Sequence, residues 1–164
     1  MYKSLKMKTF NKKESEKYLS DLIKKYKIKI VQTSRTSCGW ANWYTNEIKV
    51  PLPTNEDRFG VCLHEVKHII DGNKGKRYQQ EFWCDLYALN ILKDFNYDTT
   101  GWEKRMRWHV LSRVAMATNR GLKSIDKEIT EYYKDIDFTK WYGKKVFVSA
   151  DKNFENLNIS IRKK

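Results

Sequence analysis

The sequence predicts an α+β fold: an N-terminal helix and a small antiparallel sheet packed on two central helices, then extra helices and a C-terminal hairpin. Two observations predict it. Apolar residues recur at helical intervals through residues 12–26, 55–71, 78–93 and 100–119. Shorter stretches at 28–32, 39–50 and 146–161 are rich in β-branched and aromatic residues or alternate, and turn residues bound them.

Taken in order, Lys12 to Tyr26 carries Tyr18, Leu19, Leu22, Ile23 and Tyr26 as one apolar stripe of a helix. Ile28 to Gln32 alternates weakly and reads as a strand. Gly39 to Val50 reads as a hairpin, with Trp40–Tyr44 returning through Thr45-Asn46 to Glu47–Val50. Pro53 to Asp57 then supply a stop, an N-cap and an acidic first turn, and Thr54 and Asp57 have nearly the spacing of a capping box. Phe59, Cys62, Val66 and Ile69 continue at helical spacing until Asp71-Gly72-Asn73 ends the helix. Tyr78 to Lys93 is the next helix, with Phe82, Leu86 and Leu89 on one apolar face and Trp83, Tyr87 and Ile91 on another. Thr100-x-x-Glu103 is a capping box opening a long helix to about Asn119. A shorter helix follows at Ser124–Lys134. Val146–Ser149 and Leu157–Ile161 form a hairpin around Asp151-Lys152-Asn153.

Length and composition agree with a single domain over residues 1–164, holding a core at 12–93 and an extension at 100–164. With 2 Pro and 7 Gly, little of the chain suits a flexible linker. No apolar run approaches a membrane span, and the N-terminus lacks the apolar stretch of a signal peptide. Three cysteines at irregular spacing imply thiols in a reducing compartment, so the expected location is cytoplasmic. The net charge of +13 is uneven: residues 1–35 carry +8, 36–100 carry −2 and 101–164 carry +7. Basic arms of this kind fit nucleic acid or an acidic protein partner, while lysines on solvated helix faces are the plainer explanation. No helix-turn-helix, zinc-finger or aromatic single-strand-binding signature stands out.

His64-Glu65-Val66-Lys67-His68 carries the chemistry. Residues four apart share a helix face, so both imidazoles can reach one cation. Glu65 follows the first histidine, where its carboxylate can face a water on that metal. Two His ligands plus a general base are the requirements of zinc-assisted hydrolysis. A third ligand must come from elsewhere. Glu81 and Asp85 lie four apart on the next helix, so Glu81 can supply a carboxylate oxygen. Asp85, one turn on, can accept the outward N–H of a ligating histidine and fix its tautomer. A solvated acidic stripe is the alternative for this pair. Cys84 competes as third ligand, but it points about 100° away from Asp85 and looks like a small core residue.

His64-Glu65-x-x-His68 followed by Glu81-x-x-x-Asp85 resembles the gluzincin pattern. With Tyr44–Val50 and then Phe59–Glu65 ahead of it, the stretch 12–93 resembles the small ImmA/IrrE-type metallopeptidases, in which a strand or hairpin runs into the metal helix. The resemblance implies a minimal zincin-like domain, with Zn2+ on His64, His68 and Glu81. It also implies that a DNA-associated regulator is the kind of protein cleaved. In the expected mechanism Glu65 takes a proton from the metal-bound water and returns it to the leaving amine. His109, Tyr132, Tyr133 and Tyr142 are chemically able to steady the developing oxyanion, and the sequence does not choose among them. His109 also reads as an ordinary surface or core histidine. The substrate chain is expected to add as a strand to the exposed edge of the 39–50 hairpin. The alternative is a non-catalytic zinc-fold binding protein that holds its partner with its basic surface. Glu65 separates the two, because a purely structural site needs no base there.

Overall fold

The computed structural model describes residues 7–33, 38–72 and 74–163. Lys3, Lys6 and Arg35 of the basic N-terminal arm, Asn73 of the expected helix stop, and Lys164 lie outside the described residues. The elements are α1 (Lys12–Tyr26), β1 (Lys29–Thr33), β2 (Trp40–Asn42), β3 (Glu47–Pro51), α2 (Glu56–Asp71), α3 (Arg77–Asp94), α4 (Thr100–Asn119), α5 (Lys127–Tyr132), a short 3-10 turn at Phe138–Trp141, β4 (Lys144–Ala150) and β5 (Leu157–Lys163). The class is α+β.

Local chemistry sets the helix ends. The Asn11 side chain accepts the Glu14 N–H at the start of α1, and Lys27 closes it in the left-handed region with φ 54°. Asn55 caps α2 by accepting the Arg58 N–H at 2.9 Å. At α4 the Asp98 side chain accepts the Thr100 N–H at 2.9 Å, so an aspartate ahead of the expected box supplies the acceptor. The short helix α5 covers less of the chain than the expected 124–134.

The small sheet has the order β1-β3-β2, with β2 antiparallel and β1 parallel to β3. It is therefore mixed, where the sequence reading expected an antiparallel sheet. Asn46 explains the difference. Its Nδ2 donates to the carbonyls of Tyr26 and Lys27, and its own carbonyl accepts the Lys29 N–H at 2.8 Å. These bonds hold the starts of β1 and β3 side by side, so the two strands run the same way. The hairpin turn also comes earlier than expected. Asn42 Oδ1 accepts the N–H groups of Tyr44 and Thr45, ending β2 before Trp43 and Tyr44.

By their contacts the residues fall into two compact units, and the border between them runs within α3 and near the start of α4. Along the chain the divisions fall at Lys74/Gly75, Phe82/Trp83 and Trp102/Glu103. The first unit takes the residues up to Lys74 with Trp83–Trp102. Its core combines Ile48 and Val50 of the sheet with Leu63 and Val66 of α2 and Ala88, Leu89 and Leu92 of α3, all almost fully buried. Tyr18, Phe59, Phe95 and Tyr97 extend it, with edge-on contacts and a stacked Phe95–Tyr97 pair. The second unit takes Gly75–Phe82 with Glu103–Lys164. There the Asn119 side chain bonds both the N–H and the carbonyl of Val146 at 2.8 Å, tying the β4–β5 hairpin to α4. The hydroxyl of Tyr78 and the amide of Gln79 both donate to Asp126, which ties the start of α3 to the start of α5.

On α3 the buried positions are Tyr78, Gln80, Glu81, Phe82, Cys84, Asp85, Ala88, Leu89, Ile91 and Leu92. Glu81 and Asp85 therefore lie in the buried stripe of this helix and not on a solvated acidic face. Trp83, expected on a second apolar face, is 44% exposed. No helix among the described residues is long and apolar enough to cross a membrane.

Candidate metal centre

The helix α2 runs buried from Phe59 to Val66, and His64, Glu65 and His68 are all buried with it. Imidazoles four residues apart come to the same face, and here their Nε2 atoms lie 3.1 Å apart. The other nitrogen of His64, Nδ1, lies 2.7 Å from Asp85 Oδ1 of α3. Both partners are nearly excluded from solvent, at 8% and 2% side-chain exposure. An ionised carboxylate only accepts, so this contact keeps a proton on Nδ1 and leaves the Nε2 lone pair aimed at His68. One ligand atom from each of His64, Glu65 and His68 falls within 4.8 Å of the others.

The donor set fits a divalent cation. Two nitrogens on a tetrahedral zinc at 2.0–2.1 Å stand about 3.3 Å apart, close to the observed separation. The carboxylate behind His64 is the outer partner that such a ligand needs.

Two contacts in the same unit were missed in the sequence. At position 39 the backbone lies directly on Glu65, where an added Cβ would stand only 2.6 Å from Oε1. A side chain at this position would have to displace that carboxylate. At position 60, inside α2, an added Cβ would stand 2.5 Å from the Trp102 ring. The Trp102 indole is 1% exposed, and its Nε1 donates to the Asp85 carbonyl at 3.1 Å. Trp102 thus lies on α2 through Gly60 while holding the backbone of the residue that orients His64. A glycine in a helix interior, which costs about 1 kcal/mol against alanine, was the one available sign of such a close approach.

The second unit holds Glu81, 1% exposed. Its carboxylate pairs with Arg77 one turn earlier, and His109 Nε2 and Arg113 Nε stand 3.6 and 3.9 Å from its oxygens. A buried carboxylate needs such cationic company or a metal. Sequence reasoning named Glu81 and His109 but missed both arginines. The tyrosines proposed as electrophiles separate in role. Tyr132, 44% exposed, and buried Tyr133 lie edge-on to Phe82, and Arg107 lies over the Tyr133 ring. The Tyr142 hydroxyl accepts the Ile125 N–H at 3.1 Å. Cys84, the competing third ligand, is a buried residue of α3.

No protein-family model, no curated protein and no solved structure matches this chain.

Proposed function

We propose that this protein is a zinc-dependent metallopeptidase of the ImmA/IrrE type that hydrolyses a peptide bond in a specific protein partner. His64, His68 and Glu81 are the proposed ligands, Asp85 the carboxylate that orients His64, and Glu65 the general base. The observation that carries the reading is the double engagement of His64. One ring nitrogen rests on Asp85 at 2.7 Å while the other faces His68 at 3.1 Å. Glu81 enters the proposal on its spacing, one turn before Asp85 on α3, and on its burial as a carboxylate.

Zinc, when bound, supplies Lewis-acid polarisation of the scissile carbonyl and a water acidic enough to attack near neutral pH. Glu65 takes the proton from the attacking water and delivers it to the amine nitrogen as the C–N bond breaks. The burial of Glu65 and the close approach of the Gly39 backbone to its carboxylate support this role, since they restrict where the carboxylate can stand. β2 is an edge strand in the sheet order, and an extended substrate adding to it would run past Gly39 and therefore past Glu65.

The test compares new protein N-termini in a cell extract incubated with the wild type or with Glu65→Gln. The amide keeps the side chain's shape but cannot accept the proton. Cleavage sites made by the wild type should be missing with Glu65→Gln. Identical sets of N-termini would contradict the proposal.

A further inference from the structure

The sheet of the first unit has two unlike faces, and strand register assigns them. Ile48 and Val50 of β3 are fully buried, so their cross-strand partners Ile30, Gln32 and Ala41 share the inner face. The alternate residues share the outer face. One row across it is Val31, Lys49 and Trp40, and the next is Lys29, Glu47 and Asn42. Trp40 is 49% exposed and Val31 46% exposed, although large apolar groups are normally withdrawn from water. The turn that follows β2 adds Trp43 and Tyr44, whose ring centroids are 3.5 Å apart, with Tyr44 80% exposed.

The charge around these rings is one-sided. In the first half of α1, Lys12 and Lys17 are paired with Glu16 and Asp21 one turn on, as on an ordinary solvated face. Among the described residues no ion pair neutralises Lys27, Lys29 or Lys49, all three exposed. Lys27 adjoins the aromatic turn, because the Asn46 side chain bonds its carbonyl at 2.6 Å. Glu47, half-buried, is the one acidic residue in these outer rows.

We infer that this outer face, with its adjoining turn, binds single-stranded nucleic acid. Exposed rings beside uncompensated lysines are the two parts such a surface needs: faces for unpaired bases to stack on, and cations for the phosphates between them. A duplex keeps its bases stacked on each other and cannot use the rings. An acidic protein segment would engage the lysines and leave Trp40 and Tyr44 in water. Strand pairing assembles the surface from Lys29, Trp40 and Lys49, which are distant in sequence, so no linear signature announces it. The inference does not depend on peptidase activity.

Fluorescence anisotropy of the full chain with labelled oligo(dT) and oligo(U) tests it, with a duplex and poly-glutamate as competitors. Both single strands should bind, because every base offers a π face, and binding should weaken steeply with salt. Trp40→Ala should weaken binding roughly 5- to 100-fold. Lys29→Ala with Lys49→Ala should reduce the log–log salt slope by about 1.4. Trp40 lies at the surface, and the circular dichroism and zinc content of the Trp40→Ala protein check that it is folded. Glu65→Gln should bind the strands as the wild type does, which separates this inference from the peptidase reading. Absence of single-strand binding at low salt would overturn it. So would a Trp40→Ala protein that binds undiminished, or competition by duplex or poly-glutamate as effective as by the single strand.

Discussion

Asp85 Oδ1 lies 2.7 Å from His64 Nδ1, and the pair is almost wholly buried. That single contact decides which nitrogen of His64 is available to a metal, because the carboxylate keeps the proton on the opposite side of the ring. Asp85→Ala should therefore weaken zinc affinity by roughly 10- to 100-fold while the protein remains folded. Competition with a chromophoric chelator measures it, and an unchanged affinity would reduce Asp85 to a structural residue.

Gly39 makes a different prediction, because its backbone lies on the proposed base and not on a ligand. A Cβ at this position would stand 2.6 Å from Glu65 Oε1, so Gly39→Ala must move the carboxylate. Zinc content should hold. Turnover of a cleaved substrate should fall by roughly 10- to 100-fold, the scale of a displaced catalytic group. Turnover equal to the wild type would show that position 39 does not fix Glu65.

Gly60→Ala sets two effects against each other. Alanine in a helix interior is favoured over glycine by about 1 kcal/mol. Against this, the new Cβ would stand 2.5 Å from the buried Trp102 ring, and overpacking of that kind costs about 1–3 kcal/mol. The ring is rigid and enclosed, so overpacking should win by up to about 2 kcal/mol, lowering Tm by up to about 8 °C in thermal unfolding. A rise in Tm would mean that Trp102 can move aside.

The helix carrying the histidines was legible because its spacing, caps and buried face are all local properties. So was the pairing of Asp85 with the histidine motif, since residues 81 and 85 share a face of α3 whatever surrounds it. What local pattern could not give was the choice of partner. β1 was recognisable as a strand, but its parallel pairing depends on Asn46 bonding the end of α1. Trp83 matched an apolar helical face and is nonetheless exposed, because packing from other elements chooses which face is covered. Gly39 and Gly60 are explained only by the residues that approach them, Glu65 and Trp102, and such approaches leave no mark on neighbouring residues.

The cysteines offer a check on the buried side of α2. Burial pushes the Cys62 thiol up to about 12, and its Sγ donates to the Pro51 carbonyl at 3.2 Å. A raised thiol pKa leaves little thiolate near pH 8, and thiolate is the reactive form. Cys84 is also buried, and Cys38 is exposed. A thiol reagent at that pH should modify Cys38 alone in the folded protein, and all three cysteines after denaturation. Rapid modification of Cys62 in the native state would contradict the packing of α2 on β3.

Metal content tests the central claim most directly. Elemental analysis of protein purified without added metal should find one zinc per chain in the wild type and in Glu65→Gln, and none in His64→Ala. Glu65→Gln should keep the metal because the proposed base is not a ligand. A folded wild-type protein that contains no metal and takes up none from added zinc would contradict the account.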